Sequence, residues 1–305
     1  MTDGRQKKIR LNNRRTNIFI LCMLAYPVLQ FAIFWIGTNI GAIGLSFKKF
    51  DWDVGGYVWS GLENYKRVFH EIKNNSMFRR AITNSLWYMP VTCFISLPLS
   101  ILFSYFLYKK MPLAPMFRVI FFLPSIIPVV VLAKAFTYVF DSSIGPIDHF
   151  FRYVMGVNTP PWFRDYPLSQ IMIFIYCIWA GLGYNIILLS GAISRLPEEL
   201  MEYGKLEGIG MSRELFTVVV PLIWPTISTT FLLGCTSVFT VMLQPLMLTN
   251  GEPNTCTIAL LIYNAVNGRE QNFMTAFGLV LSLIGVPLIM FIRWGLGKVL
   301  DDVEF

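Results

Sequence analysis

The chain has 305 residues, 55 % hydrophobic and only 14 % charged, with mean hydropathy +0.56 and formal net charge +7. Soluble proteins carry about 25 % charged residues, so this one lacks the surface to cover a water-exposed globule; a disordered chain, a coiled coil and a disulfide-stapled secreted domain are excluded too. Cys22, Cys93, Cys177, Cys235 and Cys256 are odd in number and without CxxC spacing, so neither a disulfide framework nor a zinc site follows.

A membrane span needs about 20 apolar residues. Behind a basic segment, 1–16, six runs qualify: 17–47, 81–108, 117–140, 170–193, 221–248 and 274–296. The predicted fold is an all-α membrane protein of six transmembrane helices. The first run is twice the length of a signal-peptide core and lacks a small-residue cleavage pattern, so it reads as a retained span. Its Gly37, Gly41 and Gly44 mark a bend or a close helix contact.

Orientation follows the basic residues. With 1–16 inside, the inner segments hold Arg5, Lys7, Lys8, Arg10, Arg14 and Arg15, then Lys109, Lys110 and Arg118, then Arg195, Lys205 and Arg213, then Arg293 and Lys298. The outer loops hold fewer, most of them in the long loop 48–80. Both termini are therefore expected in the cytoplasm, and the positive charge is explained by topology and by anionic membrane lipid. Nucleic acid is not an expected partner, because no water-exposed module interleaves basic and aromatic residues. Lys134 lies in the third span near its outer end, where its stem would snorkel to the interface.

The inner loop 195–220 is more than a connection. Pro197, Glu198 and Glu199 suit a helix start. Leu196, Leu200, Tyr203 and Leu206 form an apolar stripe, with Glu198, Glu202 and Lys205 facing elsewhere. Gly208 and Gly210 break the helix, with Gly208 needing positive φ or a close backbone approach. Ser212 would cap a second short helix bearing Leu215 and Phe216, and Pro221 would start the next span. Such a peg either lies on the membrane or docks into a partner's groove.

This stretch resembles the EAA loop of ATP-binding-cassette importer permeases. Glu202 matches the glutamate, Tyr203 and Gly204 replace the alanines, Glu207 stands for aspartate, and Gly208 matches the glycine. Gly61-Leu62-Glu63-Asn64-Tyr65 and Leu248-Thr249-Asn250-Gly251-Glu252-Pro253 are similar to G-L-x-N-Y and L-T-N-G-G-P of sugar permeases. The resemblance runs from about Gly61 to the end, in a core region 81–305, and is to the subunit type akin to the larger maltose permease. It implies the type I importer architecture, a second permease subunit (a heterodimer), two ATP-binding subunits and an external solute-binding protein, in a prokaryotic inner membrane. Glu202, Tyr203, Gly204, Glu207 and Gly208 would couple to the ATPases, with Glu202 either pairing with a groove residue or capping its own helix.

The chain has no GxxxxGK[ST] phosphate cradle and no acid–base, triad or metal constellation, so it is read as a transport subunit, not an enzyme, without a cofactor of its own. For the solute path, Ser237, Thr240 and Gln244 are spaced to share one face of the fifth span. Tyr176, Trp179, Tyr184 and Asn185 come from the fourth. The resemblance places Tyr184 and Thr240 at solute contacts, while Ser237 and Thr240 equally suit bonds to helix backbone. Competing readings are a permease for glycerol phosphate or a peptide, an ion-coupled secondary transporter with broken helices near the midplane, and a scaffold or receptor without transport.

Overall fold

The computed structural model describes residues 14–266 and 270–298. Arg5, Lys7, Lys8 and Arg10 of the basic segment lie outside the described residues, as do the side chains of Arg14, Arg15, Glu198 and Lys205.

Four described helices are long and apolar enough to cross a membrane: α1 (Thr16–Ser46), α3 (Ser76–Tyr108), α7 (Leu168–Ile193) and α13 (Gln271–Leu296). Two bent pairs raise the number to as many as six. They are α4 (Ala114–Ile126) with α5 (Val129–Val139), meeting at 111°, and α9 (Met211–Leu222) with α10 (Trp224–Thr240), meeting at 80°. Expected spans three and five are therefore not single helices. The fifth is interrupted again before α11 (Leu243–Thr249), and α12 (Ile258–Val266) follows ahead of α13. Helix α1 continues through a π-helical turn at Phe31–Ile36, and a Cβ at Gly41 or Gly44 would meet nothing within 4 Å. Those glycines mark neither a break nor a close contact within this chain.

The segment 48–80 departs from the all-α expectation. Lys48–Asp51 (β1) pairs antiparallel with Gly56–Trp59 (β2), and Glu63–Asn74 forms α2. Asp51 Oδ1 accepts the Asp53 N–H at 2.9 Å to close the turn, Gly55 takes φ 63°, and Phe47 stacks on Trp59 with centroids 5.5 Å apart. A side-chain-to-backbone bond and a left-handed glycine suffice to reverse the chain.

Helices in lipid associate through close packing of small residues rather than through expulsion of water. Gly183 packs so tightly on α4 that a Cβ there would lie 2.3 Å from the Phe121 carbonyl. Gly234 similarly admits the Cys93 thiol of α3, and Gly285 the ring of Phe239. One buried cluster gathers Val68, Phe78, Leu260 and Phe277, and another, at the opposite end, Leu97, Tyr105, Leu189 and Val219. A third, with Tyr88, Leu132, Phe136, Tyr176 and Leu248, joins α3, α5, α7 and α11. The most apolar window of α1 contains no buried residue.

Candidate functional site

The breaks between α4 and α5 and between α10 and α11 have identifiable causes. Pro128 lacks an N–H and pushes Ile127 out of helical conformation, to φ −75° and ψ 134°, which ends α4. Pro124, four residues before Pro128, loses its intrahelical donor, and the Tyr176 hydroxyl braces the start of α5 by donating to the Val129 carbonyl at 3.3 Å. In the second case Pro245 cannot donate to the Val241 carbonyl four residues earlier. Val241 is extended (φ −73°, ψ 105°), and its oxygen accepts the Thr257 hydroxyl at 2.7 Å. Unwound backbone at membrane depth persists only with such partners or beside a cavity.

Both interruptions border one cavity of ≈ 440 Å³. Ser125 and Val129 line it from one break, and Val241 and Gln244 from the other; α3 adds Tyr88 and Thr92. Tyr176, Cys177 and Gly181 of α7 complete that wall. Gln244 is half-buried, and among the described residues its amide has no hydrogen-bond partner. Behind the wall Gln170 donates to the Tyr88 hydroxyl at 3.3 Å, while its own buried Oε1 accepts nothing. The chemistry is that of one open amide beside hydroxyls already engaged within the protein and two buried tyrosines.

The five predicted path residues do not converge. Ser237, Thr240 and Gln244 do not share one helical face, because α10 ends at Thr240 and Gln244 belongs to α11. Ser237 is 8 % exposed, with its hydroxyl 3.3 Å from that of Thr92, which also donates to the Gly234 carbonyl at 3.0 Å. That is a joint between helices. Thr240 donates to its own helix at Thr236, 3.2 Å away. Tyr184 is exposed, Asn185 half-buried, and neither lines the cavity. Tyr88, Thr92 and Ser125 were missed; the only sequence signals near them are Pro90 and Pro124 within apolar runs.

The segment 195–220, expected on the inner side, forms α8 (Glu198–Leu206), a glycine turn and the body of α9. Gly208 has φ 71°, and a Cβ there would meet nothing within 4 Å, so conformation rather than space selects glycine. The Ile209 N–H donates back to the Gly204 carbonyl at 2.9 Å. Gly210, not Ser212, occupies the cap position of the second helix. Pro221 lies inside α9, and the next span starts at Trp224 with Pro225 in its first turn. The predicted apolar stripe divides. Leu196, Met201 and Gly204 are buried against the chain, whereas Tyr203 (66 % exposed) and Leu206 (84 %) point outward with Glu202 and Glu207. The segment is held by a buried ion pair, Lys109 Nζ to Glu214 Oε1 at 2.5 Å, with side chains 13 % and 3 % exposed. It is thus a small apolar and acidic knob on a fixed base.

The other two motifs are clamps. Asn64 donates to the Ser46 and Lys48 carbonyls at 2.7 and 2.8 Å, and the Tyr65 hydroxyl is 2.7 Å from that of Ser46, tying α2 to the end of α1. Asn250 (φ 56°) and Gly251 (φ 82°) terminate α11 through bonds from their N–H groups to Leu246 and Pro245.

Residues 96–299 match the family model described as binding-protein-dependent transport system inner membrane component. The chain is 25 % identical to the probable ABC transporter permease YurN of Bacillus subtilis, over 89 % of this chain and 94 % of that one. It is 23 % identical to the diacetylchitobiose uptake system permease NgcF of Streptomyces coelicolor, over 92 % and 82 %. A bacterial alginate ABC transporter, solved in complex with an alginate pentasaccharide-bound periplasmic protein, superposes with TM-score 0.82 at 18 % identity, covering 95 % of this chain and 98 % of that one. At that identity the likeness concerns fold. With two thirds of its length inside the family model, this chain belongs to the membrane-spanning components of binding-protein-dependent transport systems.

Proposed function

We propose that the chain is the permease subunit of an ATP-driven importer that moves a sugar or oligosaccharide delivered by an external binding protein. The observation that carries this reading is the cavity between the two helix breaks, where the Gln244 amide, unpartnered among the described residues, is open to the hydroxyl groups of a saccharide. The carbohydrate systems named among its relatives support the same solute class. A second permease subunit, in a heterodimer, completes the path; α1, with no buried residue in its apolar window, is free to face that subunit or lipid. Two ATP-binding subunits engage the knob formed by Glu202, Tyr203, Gly204, Glu207 and Gly208. The chain crosses a prokaryotic inner membrane six times with both termini cytoplasmic, and its core runs over 81–305.

A ligand shifts two conformations only by its differential affinity for them. ATP-driven closure of the ATPase pair moves the knob, and the fixed base passes that motion to the spans. Family membership sets aside the ion-coupled and scaffold readings, and the broken helices do not discriminate, since they occur in this chain. A glycerol phosphate or peptide permease is the second reading, for which the cationic Lys134 and Arg164 at the outer end speak.

The test is ATP-dependent uptake of a radiolabelled oligosaccharide panel by the assembled importer in vesicles. Gly208→Trp abolishes uptake while the protein stays in the membrane, and Gln244→Ala weakens it. Normal uptake by Gly208→Trp refutes coupling through this segment. Uptake confined to phosphorylated or peptide solutes selects the second reading.

A further inference from the structure

A second cavity, of ≈ 500 Å³, lies at the expected outer end, separated from the first by the packed side chains of Leu132 and Leu248. The two cavities share α5 and α11 as walls, so they lie along one line rather than on opposite faces. The outer one is lined by Lys134 and Arg164, by the carboxylate of Asp141, and by the rings of Phe140, Trp162 and Phe163.

Three observations give it a ligand chemistry. Both cations are exposed, and among the described residues neither forms an ion pair. The Trp162 indole N–H is buried without an acceptor, although buried donors are rarely left unmet. Asp141, whose Oδ1 accepts the Ser143 and Ile144 N–H groups, leaves the cavity one net positive charge. A phosphate dianion would face that carboxylate, whereas a single carboxylate fits the remaining charge and the planar fork of arginine. The aromatic faces suit the CH surface of a pyranose.

We infer that this cavity is an outer-mouth subsite for an acidic saccharide, with Lys134 and Arg164 holding a uronate carboxylate, Trp162 donating to a ring or hydroxyl oxygen, and sugar faces resting on the aromatic rings. This rests on the importer reading and narrows its solute class: the path admits uronic-acid-bearing oligosaccharides in preference to neutral ones of equal length.

The test is calorimetric titration of the assembled importer in phosphatidylcholine nanodiscs, without its binding protein, so that delivery does not select the ligand. The probes are trigalacturonate, its carboxyl-reduced neutral counterpart and galactose 6-phosphate. Trigalacturonate binds at least about tenfold more tightly than either of the others. The preference weakens with added salt, as for exposed charges, disappears in Lys134→Gln/Arg164→Gln and survives in Lys134→Arg. Repetition in phosphatidylglycerol nanodiscs distinguishes a lipid headgroup: loss of trigalacturonate binding there shows that headgroup phosphate is the occupant and overturns the proposal. Equal affinity for the two trisaccharides, tighter binding of the sugar phosphate, absence of binding, or a preference untouched by the double substitution also overturns it. ATP-dependent uptake of neutral oligosaccharides alongside any of these results leaves the importer reading intact and removes only the acidic subsite; no saccharide uptake at all removes the importer reading itself.

Discussion

Lys109→Met gives the sharpest test of how the inner knob is anchored. Lys109 follows α3, and Glu214 lies in α9, so their ion pair joins the end of one long helix to the knob segment across 105 residues of sequence. Removing the ammonium leaves a carboxylate that is 3 % exposed with no other cation described beside it. Breaking one side of a buried pair costs about 3–5 kcal/mol, because the remaining charge is stranded away from water. The segment relieves this by opening. At about 1.4 kcal/mol per tenfold, hydrogen–deuterium exchange over Met211–Leu222 accelerates by a factor of at least about a hundred. Replacing both partners, in Lys109→Met/Glu214→Leu, removes the stranded charge and returns exchange to within about tenfold of the parent. Unchanged exchange in the single variant, or a double variant as open as the single one, would refute the anchoring role.

Other substitutions probe separate links. Gly204→Ala meets nothing within 4 Å and lies inside α8, so it stabilises that helix by up to about 1 kcal/mol, read as slower hydrogen–deuterium exchange over Glu198–Leu206. Gly208→Ala fits equally well in space but must adopt φ 71°, which costs about 1–2 kcal/mol and is read as faster exchange around Ile209. Gly183→Leu drives a side chain into the Phe121 carbonyl and lowers the thermal midpoint of the purified protein, at a cost of about 1–3 kcal/mol or more. Thr257→Val strips the Val241 carbonyl of its donor at the second break, a loss of about 1–3 kcal/mol, and a thermal midpoint equal to the parent's would show that another group satisfies that oxygen.

What was readable in the chain was what depends on local chemistry. Runs of apolar residues located the long apolar helices, and the positive φ of Gly208 followed from a helix that had to stop and turn. The same local logic failed where a distant group decided the outcome. Pro128 and Pro245 are visible as letters, but whether a proline kinks a span or breaks it depends on what receives the freed carbonyl. For Pro245 the answer is Thr257, 16 residues past Val241, while the start of α5 beyond Pro128 is braced by Tyr176, 47 residues away from Val129. Ser237 and Thr240 had the right spacing for a polar stripe, yet Thr92 engages the first and the helix backbone the second. The G-L-x-N-Y and L-T-N-G motifs carried the resemblance, but their Asn and Tyr side chains and left-handed turns are spent on holding helix ends together.

By itself the sequence determined that this is a membrane protein, which stretches are apolar enough to cross a bilayer, and where a short amphipathic knob interrupts them. Those follow from composition and from periodicities of a few residues. Only the tertiary structure decided which residues face a common space. This cavity is made by groups from five helices, and spacing along one helix says nothing about the neighbour that will consume a hydroxyl or leave an amide open. Gln244 was both predicted and placed on the cavity because no neighbouring group among the described residues takes up its amide.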